Sequence, residues 1–375
     1  MRKILRRILL VIYLLAVIPL LACYLSQWIS PAVFWPLAFF GLIFPILIAI
    51  QISFVLIFIL LRSKAVILPI LMIALGWGPI TRTFQLGGKK ATDPDTAGTI
   101  QVMTYNVRWF DIAHYWSGQQ NQAEGILAFV AGRQPDILCF QEFATEEPGR
   151  FSLGYFKSRL PFLSHTAIEY NVTSQNRRHG LAIFSRYPIL KTGHEHFQDT
   201  RNMMLYADLL VGGDTVRIYN NHLESNHFDR EEFQWIDSSA NYTRIPRDKL
   251  SGIVRRMRGA YVKRASQANV VKADIDRSPY PVIVCGDFND VPVSYATHTI
   301  GRYLYDSFRS GGRWLGITFP NVFAPLRIDY ILHSKNLESM GYRIDKVNFS
   351  DHLPVSCRIR LEPVTLPGSS DSSHR

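Results

Sequence analysis

Residues 1–90 contain no aspartate or glutamate at all, against nine lysines and arginines: Arg2, Lys3, Arg6, Arg7, Arg62, Lys64, Arg82, Lys89 and Lys90. With those nine removed from the chain's 41 basic residues, residues 91–375 hold 32 basic against 30 acidic groups. The overall charge of +11 therefore belongs to the N-terminal region. It gives no support for a basic nucleic-acid-binding surface, which needs its surplus on the folded domain itself. Cysteine is also scarce. Cys23, Cys139, Cys285 and Cys357 all lie in apolar runs, and none has the spacing of a metal-ligand pair. A disulfide scaffold or a cysteine-based zinc site is excluded, and the four read as small buried hydrophobes. No internal repeat or low-complexity tract is present, apart from the tail PGSSDSSHR, whose composition predicts disorder.

Between Ile8 and Leu61 there is no charged residue. That run is far longer than the ~20 apolar residues one bilayer crossing needs. Ser26, Ser30, Pro31 and Pro36 divide it into expected helices near residues 8–29 and 35–61, with Trp28 and Trp35 at interfacial depth. After Arg62-Ser63-Lys64 comes AVILPILMIALGWGPI, residues 65–80, a shorter run with Pro69 inside it. It reads as a third span or as a re-entrant or interfacial helix. The basic residues at the N-terminus and at 62–64 place both on the cytoplasmic side, and three spans put the following domain outside the cytoplasm. Two spans reverse that orientation. A cleaved leader over residues 1–23, with Leu-Leu-Ala-Cys23 at its end, is the competing reading. The expected organisation is a multi-pass integral membrane anchor over 1–86, a polar linker over 87–98, a catalytic domain over 99–362 and a disordered tail over 363–375.

The domain itself is a series of short strands separated by turn formers. TIQVMTYNV (99–107) places Ile100, Val102, Thr104 and Asn106 on one face. Further strands are expected in 136–143, 180–186, 204–211, 215–225, 281–289, 327–334 and 353–361, with a helix over 121–134 carrying Ile126, Leu127 and Val130 on one stripe. Gly212-Gly213-Asp214 is a hairpin-length turn. Mixed or largely antiparallel sheets with interleaved helices follow from this order.

Polar residues recur at strand ends. Asn106, Glu142, His222, Asp287 and Asn289 close four of the strands, and Asp351 and His352 stand before the last. A buried strand gains nothing from a carboxylate at its tip unless a partner offsets the desolvation. Carboxylates and carboxamides without cysteine suit a hard divalent cation, Mg²⁺ or Mn²⁺.

TYNVRWF (104–110), DILCFQEF (136–143), GLAIFSRYPI (180–189), YNNHLES (219–225), VIVCGDFND (282–290), RIDYILHS (327–334) and SDHLPV (350–355) together resemble, in order and spacing, the endonuclease/exonuclease/phosphatase superfamily of DNase I-like proteins. The resemblance covers residues 98–362. It implies a four-layer α/β/β/α sandwich of two mixed, largely antiparallel sheets, here preceded by a transmembrane helical region, and a metal-dependent phosphoester hydrolase. It also implies roles. Glu142 matches the principal metal ligand, Asn106 a ligand or its support, and Asp351 a further ligand position. Asp287 and Asn289 match groups that orient the nucleophile and hold the phosphate. His222 matches a histidine that contacts the phosphate and can protonate the leaving oxygen. His352 closes the site, and Asp329 fixes its ring. The substrate class so implied is a phosphoester, in nucleic acid or in a phospholipid head group. The alternative is a catalytically idle binding or signalling protein on the same fold.

Other residues read more simply. Asp111 and Asp306 are turn formers or caps, and His114, His165, His179, His194, His196, His227, His298 and His333 are surface or hydrogen-bonded histidines. The segment 255–275 is a helix whose Arg255, Arg256, Arg258, Lys263 and Arg264 form either a solvated face or one turned toward phosphate or anionic lipid. Asn171-Val-Thr and Asn241-Tyr-Thr match the glycosylation acceptor pattern.

Overall fold

The computed structural model describes residues 2–87, 98–111, 122–174, 176–226, 247–321 and 325–361. The expected tail, nearly all of the linker, His114, His227 and the Asn241 acceptor lie outside the described residues.

Twelve strands form the two large sheets: β1 Thr99–Asn106, β2 Ile137–Glu146, β3 His165–Ser174, β4 Arg177–Ser185, β5 Ile189–His196, β6 Met203–Val211, β7 Asp214–His222, β8 Val282–Asp287, β9 Tyr305–Asp306, β10 Asp329–His333, β11 Leu337–Ile344 and β12 Val355–Leu361. The first sheet runs β11-β12-β1-β2-β4-β3 and the second β9-β10-β8-β7-β6-β5. Each is antiparallel except for one central parallel pair, β1/β2 in the first and β7/β8 in the second. In a parallel pair both strands finish at the same end, so Asn106 and Glu142 share one end of the first sheet, as His222 and Asp287 share one end of the second.

Strict alternation decides what lies between the sheets. Ile100, Val102, Ile137, Cys139, Ile218, Ile283, Cys285 and Ile331 meet in one buried cluster, so these positions of both sheets face inward. Met103, Tyr105, Leu138 and Phe140 face outward and are covered by helices α5 (Ala123–Arg133) and α6 (Leu153–Arg159). On the second sheet Tyr219, Val284 and Tyr330 face outward under α7 (Arg247–Asp276) and α8 (Tyr295–Ile300). These are the four expected layers. Gly212 and Gly213, both at positive φ, make the turn between β6 and β7. All four cysteines are free and buried.

The N-terminal region is helical but less regular than its hydropathy suggests. Helix α1 (Arg2–Ser26) is unbroken, and among the described residues it is the one single helix sufficient by length and composition to cross a membrane. The expected helix over 35–61 is instead two pieces, Pro31–Leu42 and α2 (Phe44–Leu60), bent by 59°. Pro45 in the first turn of α2 cannot supply an amide to the preceding turn, which accounts for the break. The run over 65–80 likewise bends by 62°, at Gly76, between α3 (Ile67–Leu75) and α4 (Trp77–Thr83). Counting each bent pair as one span gives up to three.

These helices pack against the sandwich. Val293, in the loop after β8, is buried among Leu20, Cys23, Phe44 and Leu47. Ala38 packs with Met257 and Tyr261 of α7. The basic stretch of α7 divides: Arg255 and Arg258 are exposed, as a solvated face requires, whereas Arg264 is 1% exposed and bonds Asp290 and the Glu224 carbonyl.

Gly286 marks where the second sheet is tightest. It sits at φ +140°, and a Cβ there would lie 2.1 Å from the Asn221 carbonyl oxygen on the neighbouring strand. Gly286→Ala is therefore expected to destabilise the fold by about 3 kcal/mol or more. Chemical denaturation of the two proteins checks this, and an unchanged midpoint would contradict it.

Candidate active site

The inward-facing row that ends the second sheet is polar. His222 pairs with Asp287, and Asp287 with Asp329, in consecutive strands, so their side chains project together into the gap between the sheets. The first sheet supplies Asn106 on the same logic, two residues beyond Thr104. Glu142 needs a different device. The β2/β4 register slips between Phe140 and Phe143, and Glu142 adopts φ +51°. This bulge lets Phe140 and Phe143 both stack outward, 6.0 Å apart, while Gln141 and Glu142 both turn inward. Without the extra residue one of the two would point into the phenylalanine layer.

The groups form one connected array. Asn106 Nδ2 donates to Glu142 Oε1 at 3.2 Å and to Asp287 Oδ2 at 3.1 Å, joining the sheets. His222 Nε2 stands 3.8 Å from the same two carboxylate oxygens. His352 Nδ1 donates to Asp329 at 3.0 Å, and its Nε2 lies 3.6 Å from Asp287 Oδ2. The ring is packed against Phe319. Asn289, at φ +52°, donates its backbone N–H to Asp287 Oδ1 at 2.8 Å and its side-chain amide to the Leu223 carbonyl at 2.9 Å. Asp351 is more peripheral. It is exposed, lies 3.6 Å from Arg108 and accepts a bond from Ser350. The structure thus brings together Asn106, Glu142, His222, Asp287, Asp329 and His352, holds Asn289 against Asp287, and leaves Asp351 at the rim.

Burial and charge act on this array in opposite directions. Desolvation raises the Glu142 pKa, with the nearby His352 opposing it. Desolvation also raises Asp287, to about 6, with His352 opposing and Asp329 adding to the rise. His222 is lowered, mainly by burial. For His352 burial alone would lower the pKa, but the carboxylates of Asp329 and Asp287 outweigh it and raise the value to about 10. His352 is thus a buried cation held between two acids.

The donor set fits a hard divalent cation. Desolvation penalises the charged forms of Glu142 and Asp287, a penalty that a bound metal ion relieves. Asp287, Asp329 and His352 also bring one ligand atom each to within 4.8 Å of one another. Asn106 presents its amide hydrogens to the carboxylates, and its Oδ1 accepts from the Arg108 N–H, so it acts here as a clamp on the acids.

A cleft of about 400 Å³ opens beside Glu142 and His222, lined also by Trp109, His179, Arg201 and Met203. Trp109 is carried there by an unusual turn in which Arg108, Trp109, Phe110 and Asp111 all have positive φ, closed by an Arg108–Asp111 ion pair at 2.8 Å. Its ring meets His179 at 5.4 Å. Of these cleft residues, His179 adjoins the GLAIFSRYPI motif in the sequence, whereas nothing local marks Arg201.

The model of the endonuclease/exonuclease/phosphatase family matches residues 103–352, well over half of the 375-residue chain. The chain belongs to that family. A second model, a domain of unknown function (DUF8431), matches residues 6–83, the helical region. No curated protein matches the chain. Among solved structures, an endonuclease/exonuclease/phosphatase from Beutenbergia cavernae DSM 12333 is similar at 18% identity and a TM-score of 0.50, over 70% of this chain and 72% of that one. The catalytic domain of human nocturnin with bound sulfate gives 20% identity and a TM-score of 0.48, over 70% and 93%. A family protein from Bacteroides thetaiotaomicron gives 16% and 0.49, over 71% and 98%. At such identities the first likeness shows a shared fold and nothing of the substrate.

The His352 cation has a measurable signature. Because its pKa in the fold exceeds the ordinary 6.5, the stability it contributes is complete below about pH 6.5 and is lost as the pH rises toward 10. Asp329→Asn should lower this pKa by more than one unit. Histidine-selective NMR titration reads it, and an unmoved His352 resonance would refute the assignment.

Proposed function

We propose that this protein is a membrane-bound phosphoester hydrolase in which the chain folds into an anchor over 1–86 and a catalytic domain over 99–362. The observation that carries the reading is the meeting of Asn106, Glu142, His222, Asp287, Asp329 and His352, drawn from both sheets, around one polar pocket. No structural purpose requires a buried acid, Asp287, and a part-buried one, Glu142, to face each other across a sheet seam, and such a pocket is costly unless a charged ligand offsets it.

Glu142 and Asp287 would hold Mg²⁺ or Mn²⁺, with Asn106 steadying both and Asp351 available at the rim. Bound there, the ion would polarise the phosphoryl oxygens. The chain's own groups account for the proton transfers. Asp287, aimed by the Asn289 N–H, is placed to take a proton from the attacking water. His352 carries positive charge beside Asp287 and compensates charge developing on the phosphoryl group. Held at Nδ1 by Asp329, it keeps Nε2 directed into the pocket. His222, kept within 3.8 Å of both acids, is placed to hydrogen-bond the leaving oxygen.

The anchor narrows the substrate. Asn289 lies four residues before Val293, which is buried in the helical region, and Arg327, two residues before Asp329, donates to the Arg82 carbonyl at 2.6 Å. Two segments that build the site are thus seated on the anchor, which favours a phosphoester presented at a membrane surface over free duplex nucleic acid. The near-neutral charge of residues 91–375 points the same way.

Detergent-solubilised protein supplied with Mg²⁺ or Mn²⁺ should hydrolyse bis-p-nitrophenyl phosphate and phospholipid in mixed micelles faster than plasmid DNA. Chelation should abolish turnover. Asp287→Ala should lower kcat by about 10²–10⁴. Turnover of none of these with either metal, or equal rates in the wild type and the Asp287→Ala variant, would overturn the proposal.

A further inference from the structure

Among the described residues, one cluster outside this pocket unites metal-ligating side chains from both sheets. Glu169 lies on β3, the outermost strand of the first sheet, and His194 and His196 lie on β5, the outermost strand of the second. The two histidines are separated by one residue, so they share a face, and their strand partners Leu205 and Met203 belong to the core between the sheets. Glu169 pairs with Leu181 of the same core and therefore faces them. The carboxylate is shared between the rings: Oε1 is 2.8 Å from His196 Nε2 and Oε2 is 3.3 Å from His194 Nδ1. One ligand atom from each residue lies within 4.8 Å of the others.

We infer that Glu169, His194 and His196 form a second metal site, selective for a borderline transition ion such as Zn²⁺ and separate from the pocket around Glu142. Two imidazoles and one carboxylate are the donor set that tetrahedral zinc takes when it keeps a fourth position open. Ligand atoms about 2.0–2.1 Å from a tetrahedral ion stand about 3.3 Å apart, and the carboxylate-to-imidazole distances here are already 2.8 and 3.3 Å. An ion can replace the hydrogen bonds with little movement of the backbone. The donors also set the selectivity, because imidazole nitrogen is a poor ligand for Mg²⁺ and a good one for Zn²⁺, Ni²⁺ or Cu²⁺. All three side chains are partly or well exposed, which leaves an entry path from solvent.

The position suggests what the ion does. His196 begins a cross-strand row that continues through Met203, His222, Asp287 and Asp329. Met203 lines the cleft, as do Asn171 and Val172, which follow Glu169 on β3. A metal bridging β3 and β5 would clip together the open edges of the two sheets and brace that wall of the cleft. Its effect is on stability and cleft shape, since it does not touch the groups of the catalytic pocket.

The test uses the full chain, stripped with chelator and dialysed against micromolar Zn²⁺ or Co²⁺. Bound metal is counted by elemental mass spectrometry, ligand field is read from Co²⁺ absorption, and thermal midpoints are recorded with and without Zn²⁺. The His194→Gln/His196→Gln protein should bind one equivalent less than wild type, lose the tetrahedral Co²⁺ band and lose the metal-induced rise in midpoint. Glu142→Gln should keep the tetrahedral Co²⁺ band and the metal-induced rise in midpoint. Glu169→Gln, which retains both imidazoles, should weaken Zn²⁺ binding at least tenfold. Equal metal content in wild type and the double histidine variant, with matching metal-free midpoints, would overturn the site, as would a wild type that takes up no Zn²⁺.

Discussion

The side-chain amide of Asn106 reaches from one sheet to the other, donating at once to Glu142 of its own sheet and Asp287 of the opposite one. The rest of the pocket depends on that bridge. Two acids facing each other across a partly desolvated seam repel, and each is penalised for the water it loses. A neutral donor placed between them satisfies both without neutralising either, so their charge is kept for a ligand. Below it a second amide pair repeats the motif in the core: Gln141 Nε2 donates to Asn220 Oδ1 at 2.6 Å and to Thr104 at 2.9 Å. The seam is therefore pinned by polar contacts at two successive levels, and the upper one carries the acids.

Simple periodicity accounts for most of the convergence. On β1, β7 and β8 the inward series runs through Ile100, Val102 and Thr104, through Ile218 and Asn220, and through Ile283 and Cys285, before ending in Asn106, His222 and Asp287. Parallel pairing at the centre of each sheet aligns those endings. Glu142 is the exception, and the fold spends a β-bulge and a left-handed residue to bring it in. Backbone strain is concentrated at the same end of the molecule, at Glu142, Asn289 and the four-residue turn from Arg108 to Asp111. That is where a site needing fixed directions tolerates it.

Much of this was legible in the sequence, and the boundary of legibility is physical. The eight strands expected from apolar runs are the eight interior strands. The four overlooked, β3, β5, β9 and β11, are the sheet edges. An edge strand has one neighbour and partial solvent contact, so ILKTGHEH and LESMGYRI carry no apolar run to announce them. Asn106, His222 and Asp287 stood out in the sequence because each ends a buried strand, whereas Asp329 opens its strand, His352 precedes its own, and both were carried by the family resemblance. Arg201, Trp109 and the Glu169–His194–His196 cluster did not stand out, since their meaning arises only when distant segments meet. The N-terminal helical region was legible as apolar runs and not in shape: hydropathy marks the runs, while Pro45 and Gly76 bend them.

The account's central claim is that Asn106 and Asp287, on different sheets, act as one unit in phosphoester turnover. A double-mutant cycle on kcat/KM, using Asn106→Ala, Asp287→Ala and the combined variant, tests it most directly. The account predicts strong non-additivity, with the double variant scarcely slower than the worse single one. Losses that simply multiply would contradict it.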